Sequence, residues 1–146
     1  MKIRIMKIED YEQVYQLWLT CSGLGLNDLD DSKQGIERFL NRNPETCFVV
    51  ENDNHIIGAI MVGNDGRRAY IYHLAILPAY QKQGIGKQLV HVALKKLEDL
   101  QIHKVALVVF KKNINAQLFW EKLGFIQRND LIYRNISLVE MTRIET

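Results

Sequence analysis

The stretch from residue 69 to residue 110 leaves this chain few ways to fold. It reads AYIYHLAIL (69–77), then IGKQLVHVALKKLEDL (85–100), then KVALVVF (104–110). The first segment predicts a strand. The middle segment sets Ile85, Leu89, Val90, Ala93, Leu94, Leu97 and Leu100 on one stripe, which predicts an amphipathic helix. The last is a continuous apolar run, as expected of a strand buried on both faces. A strand, a helix and a strand in succession close as a right-handed parallel crossover.

The flanking sequence adds antiparallel strands and helices. KIRIM (2–6) alternates and predicts a strand. Tyr11, Val14, Leu17, Trp18 and Cys21 recur at helical spacing within 9–21, with the aromatics read as core. GLGLNDLDD (23–31) is a loop, and Asp31 or Ser32 is placed to cap a second helix through about Leu40. The period then becomes 2. TCFVVEND (46–53) and HIIGAIMVG (55–63) predict a hairpin turning at Asn52-Asp53-Asn54, and NDGRR (64–68) is a further turn. A short helix is expected over 114–123, ended by Gly124, with two more strands at 125–128 and 132–141. The order is β-α-α-β-β-β-α-β-α-β-β, an α/β fold with a mixed sheet. The 146 residues contain no repeat or linker, so 1–146 reads as one domain with one core.

Several function classes are disfavoured. A net charge of +2 is too small to argue for nucleic acid, and basic residues such as Lys95 and Lys96 lie beside acids. Cys21 and Cys47 have neither metal-ligand spacing nor a disulfide framework, so free thiols in a reducing compartment and no metal are expected. The N-terminal MKIRIMKIED is too charged for a signal peptide, and no apolar run reaches the roughly 18 residues of a membrane span. A cytoplasmic location is the expectation.

Between the strand ending near Leu77 and the helix starting near Gly84 lies Gln81-Lys82-Gln83-Gly84-Ile85-Gly86. Glycines permit φ > 0 and let a ligand approach the backbone. The first helical turn leaves N–H groups unpaired and carries partial positive charge, which suits a phosphate or pyrophosphate. The turn is not a Walker A loop: Gly86-Lys87 is followed by Gln88, and Gln81 stands where the first glycine belongs. Nor is it a dinucleotide fingerprint, because Leu89 occupies the third glycine position. A plain helix start with glycine for the turn is the alternative.

The second half carries KNINAQLFWEKLGF (112–125), with Asn113, Ala116, Phe119 and a Leu-Gly-Phe ending. Together, [QR]-x-x-G-x-[GA] at 81–86 and N-x-x-A-x-x-F-[YW]-x-x-x-G-F at 113–125 resemble the GNAT superfamily of N-acetyltransferases. The match is best over about 47–125, and 63–78 is similar to the small bacterial YpeA-like subgroup. The resemblance implies an acetyl-CoA-dependent enzyme acting on a small-molecule or peptide amine. The alternatives are acetylation of a protein N-terminus or lysine, and a non-catalytic acyl-CoA sensor. It further implies that N–H groups around Gln81, Lys82, Gln83, Gly84, Ile85 and Gly86 receive the pyrophosphate, with Lys82 and Lys87 adding charge. The pantetheine arm would pair like a strand near Leu74, Ala75 and Ile76, with Asn113 hydrogen-bonding it and Phe119 packing on it. An N–H near Ile76 would meet the reaction's oxyanion.

This chain departs from the family pattern at two places. Positions where relatives carry a base hold Tyr70 and Tyr72, whose ordinary pKa of about 10 makes them poor bases. Alternation puts both on one face, lining the acceptor site or packing the sheet, and sends His73 to the other face unless a bulge re-aims it. Where relatives place a tyrosine acid stands Trp120, which donates a hydrogen bond but cannot protonate a thiolate. Tyr133 is the substitute candidate. Asp28, Asp30 and Asp31 are candidates to meet a cationic amine, and Arg67 and Arg68 an acidic group; a solvated loop and turn are the alternatives. Exposed C-terminal strands would permit a homodimer.

Overall fold

The structure is a computed structural model describing residues 1–146. Its elements are β1 (Lys2–Ile5), α1 (Tyr11–Leu19), β2 (Leu26–Asn27), α2 (Lys33–Arg42), β3 (Cys47–Asn52), β4 (His55–Asn64), β5 (Ala69–Ile76), α3 (Ile85–Asp99), β6 (Val105–Ala106), α4 (Ile114–Lys122) and β7 (Arg143–Ile144). Five strands form one sheet in the order β1-β3-β4-β5-β6. All neighbours are antiparallel except β5 and β6, which are parallel. The strand–helix–strand unit expected at 69–110 is therefore present.

Local signals act where expected. The Ser32 hydroxyl accepts from the Gly35 N–H and caps α2. The β3–β4 hairpin turns at Asp53 (φ 51) and Asn54 (φ 64), left-handed positions that a two-residue hairpin loop requires.

The sheet has a helical layer on each face. Phe48, Val50, Ile60, Val62 and Ile71 pack with Ile85, Leu89, Val90, Ala93 and Leu97 of α3. Cys47, Val49, Ala59, Met61 and Ala75 pack with Val14, Leu17 and Trp18 of α1 and Ile36 and Leu40 of α2. Burial pushes the Cys47 thiol up to about 12, so it is an inert core group.

Two expectations fail. The run 104–110 is not a strand buried on both faces: only Val105 and Ala106 pair with β5, and Val108 is 57% exposed. Residues 125–128 and 132–141 form no strands, and Ile126, Ile132, Ile136 and Leu138 are exposed. Both failures have one cause. Alternating apolar residues become a strand only beside a partner edge and against a layer that buries one face. The C-terminal strand is instead β7, which pairs with β2 through Leu26↔Ile144 and Asn27↔Arg143.

Candidate functional site

The decisive feature is a bulge in β5. The β4–β5 register runs Val62↔Ile71 and then Met61↔His73, leaving Tyr72 as the extra residue. Before the bulge, Ala69 and Ile71 face the α3 layer. After it, Ala75 faces the α1/α2 layer, and His73 stacks edge-on against Trp18 of α1 with ring centroids 5.0 Å apart.

The backbone turns with the side chains. Leu77 N–H donates to Ile57 O at 2.8 Å, so by strand alternation the polar groups of Leu74 and Ile76 point away from β4. On that side β6 has already left: pairing stops after Tyr70↔Ala106. A groove of 810 Å³ opens in the splay. One wall holds Ile71, Tyr72, Leu74, Ala75 and Ile76, and the other Leu107, Val108 and Val109.

The groove runs to the glycine turn. Lys82 (φ 63) and Gly84 (φ 83) are both left-handed. The backbone N–H groups of Lys82, Gln83 and Gly84 have no acceptor, and the first helical bond of α3 comes from Gln88 N–H to Gly84 O. Six consecutive amides, 82 to 87, are therefore free at the N-terminus of a 15-residue helix. A Cβ on Gly84 would meet nothing within 4 Å, and one on Gly86 would stand 3.3 Å from Phe119. Glycine at 86 thus lets α4 approach α3 across the groove.

Most of the sequence-derived cofactor residues come together here. Leu74, Ala75, Ile76, Gln81, Lys82, Gly84, Ile85, Gly86, Lys87, Asn113 and Phe119 line the groove, and so does Trp120, which the sequence offered as a catalytic candidate. Gln83 does not; its amide turns back to Ala79 O at 3.3 Å. The Asn113 side chain caps α4 by accepting from Ala116 N–H. Trp120 is wedged edge-on between Phe119 and Phe125 at 5.0 and 5.1 Å.

The candidate acid–base residues divide. Tyr72 lines the groove and is 53% exposed. Tyr70 lies on the same sheet face with its ring 4.7 Å from that of Tyr72, but it does not line the groove. Burial pushes the Tyr70 phenol above its ordinary range, and the neighbouring Tyr133 and Tyr72 add to it.

His73 corrects the alternation argument. The bulge puts it on the same face as Tyr72, yet it stays out of the groove. Its Nε2–H donates to Asp31 Oδ1 at 2.7 Å, and its Nδ1 is buried without a partner. Asp31 Oδ2 also accepts from Asn27 N–H, and Asp31 O accepts from the Tyr11 hydroxyl. The pair thus ties the 27–31 loop to β5 and α1. Asp28 accepts from Thr142 N–H and Asp30 from the Asn27 amide, so all three aspartates are engaged within the protein. The N–H groups of Arg68 and Arg67 close a turn on Asp65, whose carboxyl they hold below the usual range.

Sequence reasoning missed residues 20–22, which line the groove together with Gly23 and Leu24 of the 23–31 loop. The Cys21 thiol donates to Ile76 O at 3.3 Å on one wall, while Gly23 (φ 75) lies so close to Asn113 that a Cβ would stand 3.2 Å from its amide nitrogen. The segment therefore spans the splay. The left-handed Gly23 and, just beyond the segment, Gly25 were the available signal. The groove carries two cations, Lys82 and Lys87, and no carboxylate.

Residues 11–125 match the acetyltransferase (GNAT) family. An acetyltransferase from Sodalis glossinidius (strain morsitans) is 32% identical over 140 residues, covering 96% of this chain and 97% of that relative. The PaiA N-acetyltransferase from Thermoplasma acidophilum, solved in complex with coenzyme A, superposes with a TM-score of 0.72 at 21% identity, over 84% of this chain and 87% of that one. An aminoglycoside antibiotic 6'-N-acetyltransferase from Acinetobacter haemolyticus gives 0.74 at 14% identity, over 95% and 100%. A family match across most of the chain, with a similar relative over nearly all of it, means that this chain belongs to the GNAT family of acetyltransferases.

Proposed function

We propose that this acetyltransferase moves an acetyl group from acetyl-CoA directly to the primary amine of a small molecule. One observation carries the reading: a single groove joins a row of free amides to the exposed Tyr72 side chain through a break in the sheet. Its chemistry fits the donor along its length. Free N–H groups with Lys82 and Lys87 suit a pyrophosphate. Apolar walls with outward-facing Leu74 and Ile76 backbone groups suit a narrow arm bearing amides. The relative solved with coenzyme A supports the donor, and the aminoglycoside enzyme supports a small-molecule acceptor.

Bound acetyl-CoA supplies an acyl group activated on sulfur. The protein's own residues orient it and receive the amine. The N–H groups of Leu74 and Ile76 are the donors placed for an acyl oxygen, where pre-aimed dipoles act most strongly. Tyr72 is the polar group that faces an amine entering beside them. The groove offers no imidazole or carboxylate to take the amine's proton, so that proton leaves through water, with the Tyr72 hydroxyl as its first hydrogen-bond partner. Trp120 packs the thiol end and cannot act as an acid.

Two measurements test the reading: calorimetry with coenzyme A, and thiol release from acetyl-CoA across a panel of amines. Saturable binding with amine-dependent thiol release is expected. Binding without thiol release from any amine would make the protein an acyl-CoA sensor, and absence of binding would remove the donor.

A further inference from the structure

The groove's acceptor end has two features that the transfer reaction itself does not require. The first is an aromatic platform. The Tyr72 ring stands 4.7 Å from Tyr70 and 5.4 Å from Phe39 of α2, in tilted and edge-on arrangements. Gly63 lies beneath it: a Cβ there would stand 2.9 Å from the Phe39 ring and 3.4 Å from Tyr72. The glycine therefore makes room for the ring pair, and Tyr72 still leaves half its surface open. A large aromatic kept exposed at a groove mouth, on a foundation of two other rings, is a stacking surface.

The second feature is the set of ionisable groups. Those lining the groove are Cys21, Tyr72, Tyr80, Lys82 and Lys87. Tyr70 packs beside Tyr72, and Tyr133 neighbours Tyr70 in turn. No carboxylate lines the groove to hold a polycation, and the loop aspartates are spent on internal bonds. Nor does the groove hold an imidazole or a carboxylate to act as the base for a strongly basic amine. The acceptor must bring its own neutral fraction. At pH 7 an α-amino group, with a pKa near 8, is about 10% neutral; an alkylamine near 10.4 is about 0.04% neutral.

We infer that the acceptor is a small amine carrying an aromatic ring beside a weakly basic α-amino group, as in an amide or ester of an aromatic amino acid, with the ring stacked on Tyr72. This rests on the acetyl-transfer reading above. The amine nitrogen forms the new bond to the acyl carbon, the bond from that carbon to sulfur breaks, and the sulfur leaves as the thiolate of coenzyme A. The amine's proton passes to water.

Turnover of acetyl-CoA is measured with phenylalaninamide, alaninamide, phenethylamine and spermidine, beside calorimetry with coenzyme A. Phenylalaninamide should exceed alaninamide about 10-fold in kcat/KM, a size typical of an aromatic stack with its added burial. It should exceed phenethylamine by roughly 10-fold at pH 7, after the weaker amine's lower nucleophilicity offsets part of its larger neutral fraction. That second ratio should shrink as pH rises toward 9.5, and spermidine should be the poorest acceptor. Tyr72→Leu should bring the phenylalaninamide-to-alaninamide ratio near one while coenzyme A affinity holds, and Phe39→Leu should lower it partway. Coenzyme A binding with equal turnover of the two amides, with spermidine preferred, or with a ratio unmoved by Tyr72→Leu in a folded variant overturns this inference alone. Failure to bind coenzyme A overturns the acetyl-transfer reading and this inference with it.

Discussion

Position 84 separates three effects that a single substitution would confuse. Gly84 has φ 83, and a Cβ there would meet nothing within 4 Å, so any side chain enters open space without a clash. An L-residue in that conformation costs about 1–2 kcal/mol, with Asn among the best tolerated. Gly84→Asn therefore measures the backbone and bulk effects, and Gly84→Asp adds only a negative charge. If the free amides of 82–87 seat a pyrophosphate, the carboxylate lies about 6 Å from two phosphate charges. Each pair then costs between about 0.7 and 3 kcal/mol for effective dielectric constants of 80 and 20. Lys82, Lys87 and salt move the result toward the lower figure, about 1.4 kcal/mol for the two pairs, which predicts coenzyme A binding at least about 10-fold weaker for Asp than for Asn. Calorimetry at two salt concentrations reads the difference, which should narrow at high salt. Thermal denaturation should show the two variants equally stable within about 1 kcal/mol. Equal affinities in two folded variants would mean that the turn is a plain helix start and the anion sits elsewhere.

Three further outcomes follow from particular contacts. Asp31→Ala leaves the buried His73 ring without its partner and should cost about 3 kcal/mol in urea denaturation; an unchanged midpoint would mean the 27–31 loop is not tied to β5. Burial alone would raise the Asp10 pKa, but hydrogen bonds from Arg4 and the Lys7 N–H more than offset it and hold the carboxyl below its ordinary range. That stabilisation is present above the ordinary carboxylate pKa and is lost as pH falls through the lowered one, so Asp10→Asn should flatten the stability curve below about pH 4 by up to about 1.4 kcal/mol per pH unit. Tyr133 is exposed and has no hydrogen-bond partner, so Tyr133→Phe should leave turnover within a few fold; a loss of about 10²-fold would make it the general acid.

The fold was legible wherever one stretch of chain decides its own conformation. The α3 stripe, the Ser32 cap and the Asp53-Asn54 turn each report local geometry, and each stands where the sequence puts it. The segments 104–110 and 125–141 have strand-like composition, but their conformation depends on what lies beside them. β6 ends at Ala106 because β5 beyond Tyr70 offers it no further pairing. Residues 125–141 pair with no strand, so Leu138 remains 91% exposed in an alternating pattern.

The site was legible in its glycines and its asparagine but not in its handedness around Tyr72. Period 2 from Tyr70 and Tyr72 sends His73 to the α3 face, and nothing in YIYHLA announces an extra residue. The choice lies with the partners. Unbroken alternation would seat the imidazole beside Ile71 in the layer of Leu89 and Val90, where the buried groups are apolar. Leaving both ring nitrogens unsatisfied there, where the observed fold leaves only Nδ1, adds about 1–3 kcal/mol, against about 1 kcal/mol for a ladder bond lost at a bulge. The bulge delivers His73 to Asp31 instead. The same inserted residue turns the Leu74 and Ile76 backbone toward the splay and sets the Tyr72 ring over Gly63. One choice of register therefore places the structural histidine, the backbone wall of the groove and the aromatic platform, and any variant that removes the bulge should lose all three together.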